Sequence, residues 1–131
     1  MSVPQSNDGR SFSDLTFQVL PVKSPGDVTV LAGRAMFPPG AGIPCHCHSC
    51  DETVTVIQGS AVCHVAGNTY RLGLYETLHV PARTPHCSAN ASASEEMVML
   101  CLYNSAKVDR EVLDGKECFP QSTPGEATEA P

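Results

Sequence analysis

What the chain lacks narrows it first. No apolar run approaches the roughly 18 residues that a membrane-spanning helix needs. Basic residues are few, eight Lys and Arg against fourteen Asp and Glu, for a formal charge of -6. They are scattered without a run or patch, which excludes a nucleic-acid partner. Met1 to Gly9 is polar and has no apolar stretch behind a basic start, so a secretory signal is not expected and the compartment read from it is cytoplasmic. No segment of helical length carries a sustained 3.6-residue apolar stripe, which excludes a helical bundle.

What is present is a set of short β-prone runs. The 131 residues, 41% of them hydrophobic, are enough for one domain with a modest core. Strands are predicted over Leu15–Val22, Val28–Phe37, Thr53–Gln58, Ala61–Val65, Thr69–Leu72, Thr77–Val80 and Met97–Asn104, with Gly- and Pro-containing turns between them. Ala66-Gly67-Asn68 suits a hairpin. Many short strands with frequent turn residues imply an all-β sandwich or closed barrel. From Pro120 to Pro131 the composition shifts to Pro, Gly, Ser, Thr, Glu and Ala, and a disordered tail is expected there. The expected organisation is a flexible N-terminus over 1–11, a barrel over 12–119 and a tail over 120–131.

Seven cysteines, an odd number without a signal peptide, do not suggest a disulfide framework. Reduced thiols filling core positions are expected. Cys47 and Cys50 have the C-x₂-C spacing of a zinc knuckle, but no second pair follows at a suitable distance.

The chemistry concentrates in Cys45-His46-Cys47-His48-Ser49-Cys50-Asp51-Glu52. On an extended strand, alternate residues share a face, so His46 and His48 aim together. Glu52 shares its parity with Val54 and Val56, placing it toward the core after a turn. Two imidazoles and a carboxylate converging from neighbouring strands suit a mid-series divalent ion. A third imidazole is expected from His86, which follows Thr77–Val80 through a Pro81…Pro85 turn.

Gly40, His46, His48, Glu52 and Gly59 stand at every spacing of the first motif of the cupin superfamily, which the chain therefore resembles. Pro81, His86 and Asn90 match the second motif, in which Tyr75 and Arg83 replace two glycines. The resemblance implies a single-domain double-stranded β-helix, the cupin jelly-roll barrel, with His46, His48, Glu52 and His86 holding one divalent transition metal inside one end. Fe²⁺ is favoured, with Zn²⁺, Mn²⁺, Ni²⁺ and Cu²⁺ as alternatives. It further implies a small-molecule substrate and a homodimer paired through an N-terminal strand, for which Leu15–Val22 serves.

Two further residues are candidates for catalysis. His79, just before Pro81, has three roles open to it: an extra ligand, an acid–base group, or an outward side chain. Arg83, three residues before His86, is either an anion-holding group at the pocket rim or a solvated loop arginine. His64 is expected to be structural; Tyr70, Tyr75 and Tyr103 are packing residues by default and, in a lyase or isomerase, candidates with His79 for the base. The expected function is a metal-dependent enzyme on a small carbonyl, enol or phenolic substrate, with a dioxygenase ahead of a redox-neutral isomerase, lyase or cyclase. A non-catalytic ligand-binding barrel is the competing class, since a fold does not decide function.

Overall fold

A computed structural model describes residues 15–118. The expected flexible N-terminus and C-terminal tail lie outside these residues. Ten strands run in order as β1 Thr16–Leu20, β2 Leu31–Phe37, β3 His46–Cys47, β4 Glu52–Gln58, β5 Ala61–Val65, β6 Asn68–Leu72, β7 Thr77–Val80, β8 His86–Asn90, β9 Met97–Tyr103 and β10 Glu111–Val112. They form two five-stranded sheets, ordered β1-β2-β9-β4-β7 and β10-β3-β8-β5-β6. Every pairing among them is antiparallel.

The pairing is nested. The chain doubles back at the β5–β6 turn, and β4 then meets β7, β3 meets β8, and β2 meets β9. That is a long hairpin rolled upon itself, which is a jelly roll, as expected. The inward side chains of both sheets fill the space between them: Phe37, Val56, Met97, Met99 and Cys63 are almost wholly buried. β4 shows the alternation that produces this, with Glu52, Val54 and Val56 buried and the residues between them half-exposed.

Two devices shape the turns. Gly59 closes β4 onto β5 at φ 79°, and a Cβ there would lie 2.8 Å from the Glu96 carbonyl oxygen, so only glycine fits. Asn90 uses its amide nitrogen to donate to the carbonyls of Phe37, Pro38 and Glu95 at 3.1, 3.1 and 2.6 Å, while its oxygen accepts from Ser92 N–H at 2.9 Å. One buried side chain thereby ties the ends of β2, β8 and β9 together.

The expectation of uniformly reduced cysteines is corrected here. Cys45 and Cys118 form a disulfide, with Cα atoms 5.9 Å apart across a sequence separation of 73. Sequence parity did not reveal it because the two halves meet only once β10 has paired with β3. The bond closes a strap after β9: Leu113 N–H donates to Cys45 O at 2.8 Å and Gly67 N–H to Cys118 O at 3.0 Å. Cys47, Cys50, Cys63, Cys87 and Cys101 remain thiols. No helix among the described residues is long and apolar enough to cross a membrane.

Candidate metal centre

Four of the residues singled out from sequence meet inside the barrel. His46 and His48 alternate with half-exposed Cys47 and are themselves buried. Glu52 begins β4, and His86 begins β8 directly opposite His46. Their ligand atoms all lie within 4.8 Å of one another, and each of the four residues is buried. β3 supplies His46, with His48 just past its end, and the starts of β4 and β8 deliver Glu52 and His86.

The protons on the three imidazoles are fixed by the backbone. Nδ1 of His46 faces Pro44 O at 2.7 Å, Nδ1 of His48 faces Asp109 O at 2.6 Å, and Nδ1 of His86 faces Thr84 O at 2.9 Å. A carbonyl can only accept, so each Nδ1 carries a hydrogen and donates it. In a neutral ring, Nε2 then presents a lone pair inward. Burial, then the neighbouring His86, pushes the His46 pKa down to about 3, which keeps that ring neutral.

Two of these Nε2 atoms crowd one carboxylate oxygen. Glu52 Oε1 lies 2.9 Å from His86 Nε2, within hydrogen-bond distance, and 3.5 Å from His48 Nε2. His48 Nε2 is buried with no hydrogen-bond partner. An unpartnered buried nitrogen is costly, and a divalent cation held by these four residues would remove that cost. Carbonyls anchoring the far ring nitrogens are the usual outer partners of metal-bound histidine. The residues present fit a metal.

The four donors stand in a cavity of about 310 Å³ whose other walls are largely apolar, among them Phe17, Leu31, Phe37, Ile43, Val54 and Met99. Two protic groups share this space. Tyr103, opposite Glu52 in the β4–β9 register, and Cys101 both lie beside the Glu52 side chain, and burial, then the Glu52 charge, pushes the phenol and the thiol up, so both stay protonated. The Tyr103 ring also meets His48 edge-on at a centroid distance of 5.2 Å. Arg110, on the strap, lines the same cavity.

The structure leaves His79 and Arg83 out of this cavity. His79 pairs with Thr53, one position off the inward parity of Glu52, so its ring is exposed and lies 3.4 Å from Asp51 Oδ2. Of the three roles open to His79, this register gives it the outward side chain. Arg83 lies along an outer cleft with Cys47, Ser49 and Glu111. Its contact with the centre runs through the backbone: its N–H donates to His48 O at 2.6 Å. Tyr75 and Arg83, the replacements for motif glycines, keep glycine-like backbones at φ 67° and 62°.

Sequence reasoning did not single out Tyr103 among the three tyrosines, and it missed Arg110. The signal for Tyr103 was available in the alternation Met97, Met99, Cys101, Tyr103, all of them buried. Nothing in the local sequence marks Arg110, because its place depends on how the strap is tied.

The sequence profile of the cupin domain matches residues 33–103. No curated relative matches the chain in sequence. Among solved structures it is similar to a cupin-2 domain of Rhodospirillum rubrum, with TM-score 0.69 and 18% identity over 88% of this chain and 76% of that one. It is also similar to oxalate oxidase in complex with the substrate analogue glycolate, with TM-score 0.66 and 21% identity over 76% of this chain and 55% of that one. A third similarity is to the Lactobacillus farciminis oxalate decarboxylase formate complex, with TM-score 0.67, 19% identity and coverage of 78% and 32%. The chain thus spans about half of the oxidase and a third of the decarboxylase.

Proposed function

The chain belongs to the cupin family, and from that premise we propose that it is a metal-dependent enzyme that oxidises a small carbonyl, enol or phenolic substrate, in the manner of a dioxygenase. The observation that carries this reading is the buried, unpartnered Nε2 of His48 gathered with ring nitrogens of His46 and His86 and the Glu52 carboxylate. Three imidazoles with one carboxylate suit Fe²⁺, the favoured ion, and also accept Zn²⁺, Mn²⁺, Ni²⁺ or Cu²⁺. Such an ion supplies Lewis acidity or, when redox-active, a meeting place for O₂ and substrate.

The chain's own groups have definable tasks. His46, His48, Glu52 and His86 hold the ion, and the carbonyls of Pro44, Asp109 and Thr84 hold the rings. The apolar walls exclude water around the bound substrate. Tyr103, held protonated by burial beside Glu52, offers a bound substrate a hydrogen-bond donor rather than a mobile proton, although the sequence had offered a base role to His79 and the tyrosines alike. The oxalate decarboxylase among the structural neighbours favours one alternative, a redox-neutral isomerase, lyase or cyclase.

Oxalate oxidase among the structural neighbours is an oxidation carried by this fold, which supports the oxidative choice. Oxalate itself suits this cavity poorly, because a small dianion gains nothing from walls such as Phe37 and Met99. A homodimer paired through β1 belongs to the reading: Phe17 and Val19 on that edge strand are 47% and 62% exposed. A cytoplasmic site of action sits against the Cys45–Cys118 bond, of a kind that reducing compartments keep open.

The test is metal analysis of protein purified without added ions, followed by O₂ uptake with 1,3-dicarbonyls, catechols and hydroxy acids. O₂ consumption matched to product supports the oxidative reading. Conversion without O₂ uptake replaces it with the redox-neutral one. A protein that takes up no divalent ion removes both.

A further inference from the structure

The cavity wall combines two chemistries: the buried polar donors His46, His48, Glu52 and His86, and a larger set of apolar side chains. Arg110 lines this cavity and, like His48 and Asp109, also the outer cleft beside Ser49 and Arg83. It is exposed, as a group at a mouth must be, and its charge is felt at His46 inside.

Three acidic groups lie nearby: Glu52, Asp109 and, on the outer cleft beside Arg110, Glu111. Glu52 faces the histidines and Tyr103. Asp109 also lines the cavity, but its Oδ1 accepts from Ser49 N–H at 2.8 Å, which turns that carboxylate toward the β3–β4 turn. Among the described residues lining the cavity, Arg110 is the one permanent cation. A planar guanidinium at the mouth of an apolar chamber presents paired donors suited to a carboxylate.

We propose that the cavity takes a monocarboxylate with an apolar body, its carboxylate held by Arg110 at the mouth and its body lying between the walls toward the histidines. The inference rests on the metal-dependent reading above and names its substrate class. A volume of about 310 Å³ lies at the small end of ligand pockets, enough for a single ring or a short branched chain. A neutral ligand leaves Arg110 unused, and a small all-polar anion leaves the walls unused. Selectivity therefore requires both parts in one molecule.

Calorimetric binding to the full chain loaded with redox-inert Zn²⁺ tests this without turnover. The probes are 3-phenylpropanoate, its neutral analogue 3-phenylpropan-1-ol, and propanoate. The expected order has 3-phenylpropanoate binding about tenfold or more tighter than either partner, the scale of one charge-assisted hydrogen-bonded contact or of a buried ring. Arg110→Gln should bring the acid down to the level of the alcohol and leave the alcohol unchanged. Lys107→Gln, which alters an exposed cation on the same segment, should change nothing.

Two outcomes overturn the assignment. If Arg110→Gln leaves the preference for the acid intact, the carboxylate is held by the bound ion and not at the mouth. If acid and alcohol bind equally to the wild type, no anion site exists. Either result with full zinc occupancy removes the Arg110 site and leaves the metal centre standing. Failure to bind zinc removes the metal reading instead, and the acid–alcohol comparison on the metal-free chain then judges Arg110 separately.

Discussion

His46, His48 and His86 differ from His79 and His64 in what holds the ring. Each inner histidine is buried and rests Nδ1 on a backbone carbonyl, which turns Nε2 toward the other donors. The outer two meet side chains: His79 lies against Asp51 at 3.4 Å, and His64 Nδ1 against Thr69 Oγ1 at 3.1 Å. The carboxylate beside the inner rings, Glu52, is itself a buried fourth donor 2.9 Å from His86 Nε2, whereas His79 and Asp51 form an exposed pair outside that cluster. Residue type alone therefore does not make a ligand. The backbone beneath it does.

The largest effect should come from breaking the inner set. His48→Ala should lower metal affinity by more than the ~10–100-fold attached to outer partners of a metal ligand, and metal content by atomic emission should fall accordingly. The variant should stay folded, since the site sits at one end of a core that includes Phe37, Val56 and Met99. His79→Ala should leave metal content unchanged. Equal metal loss in the two variants would erase the distinction between the inner and outer rings.

A smaller effect should come from loosening what lies behind His48. Its carbonyl partner, Asp109 O, belongs to the strap that Cys118 pins to Cys45. Cys118→Ser should cost about 2–4 kcal/mol in denaturant unfolding, the usual scale for a native disulfide. Metal affinity should weaken by about tenfold at the same time, because His48 loses a fixed partner. Dithiothreitol on the wild type should reproduce both changes. Unaltered metal binding in the reduced protein would show that the His48–Asp109 contact survives without the bond.

How far the sequence could be read follows the same division between inside and outside. Ala61–Val65 and Thr77–Val80 were read to the residue, and β4 nearly so, because runs containing β-branched residues are bounded there by turn residues. β8 escaped notice: all five residues of His-Cys-Ser-Ala-Asn are buried, so no alternation marks it, and none is β-branched. β10, Glu111-Val112, is exposed and exists only as a partner for β3. The four metal-site residues were legible through spacing and a family resemblance. Arg110 and the disulfide were not, since both depend on long-range closure of the strap.

The smallest effect should appear at the two replaced glycines, and it probes how rigid the outer turns must be for the inner set. Tyr75 at φ 67° and Arg83 at φ 62° hold left-handed conformations that cost a side-chain-bearing residue about 1–2 kcal/mol. Glycine removes that cost but gives up roughly 0.5–1 kcal/mol in unfolded-chain entropy. Tyr75→Gly should therefore stabilise the protein by up to about 1 kcal/mol, since the Tyr75 side chain is 72% exposed and loses little packing. Arg83→Gly should gain a similar amount with unchanged metal content, because the Arg83 contact with His48 is made by a backbone N–H that glycine also has. Thermal unfolding measures both. A loss of metal in Arg83→Gly would mean that the guanidinium, and not only the amide, supports the His48 turn.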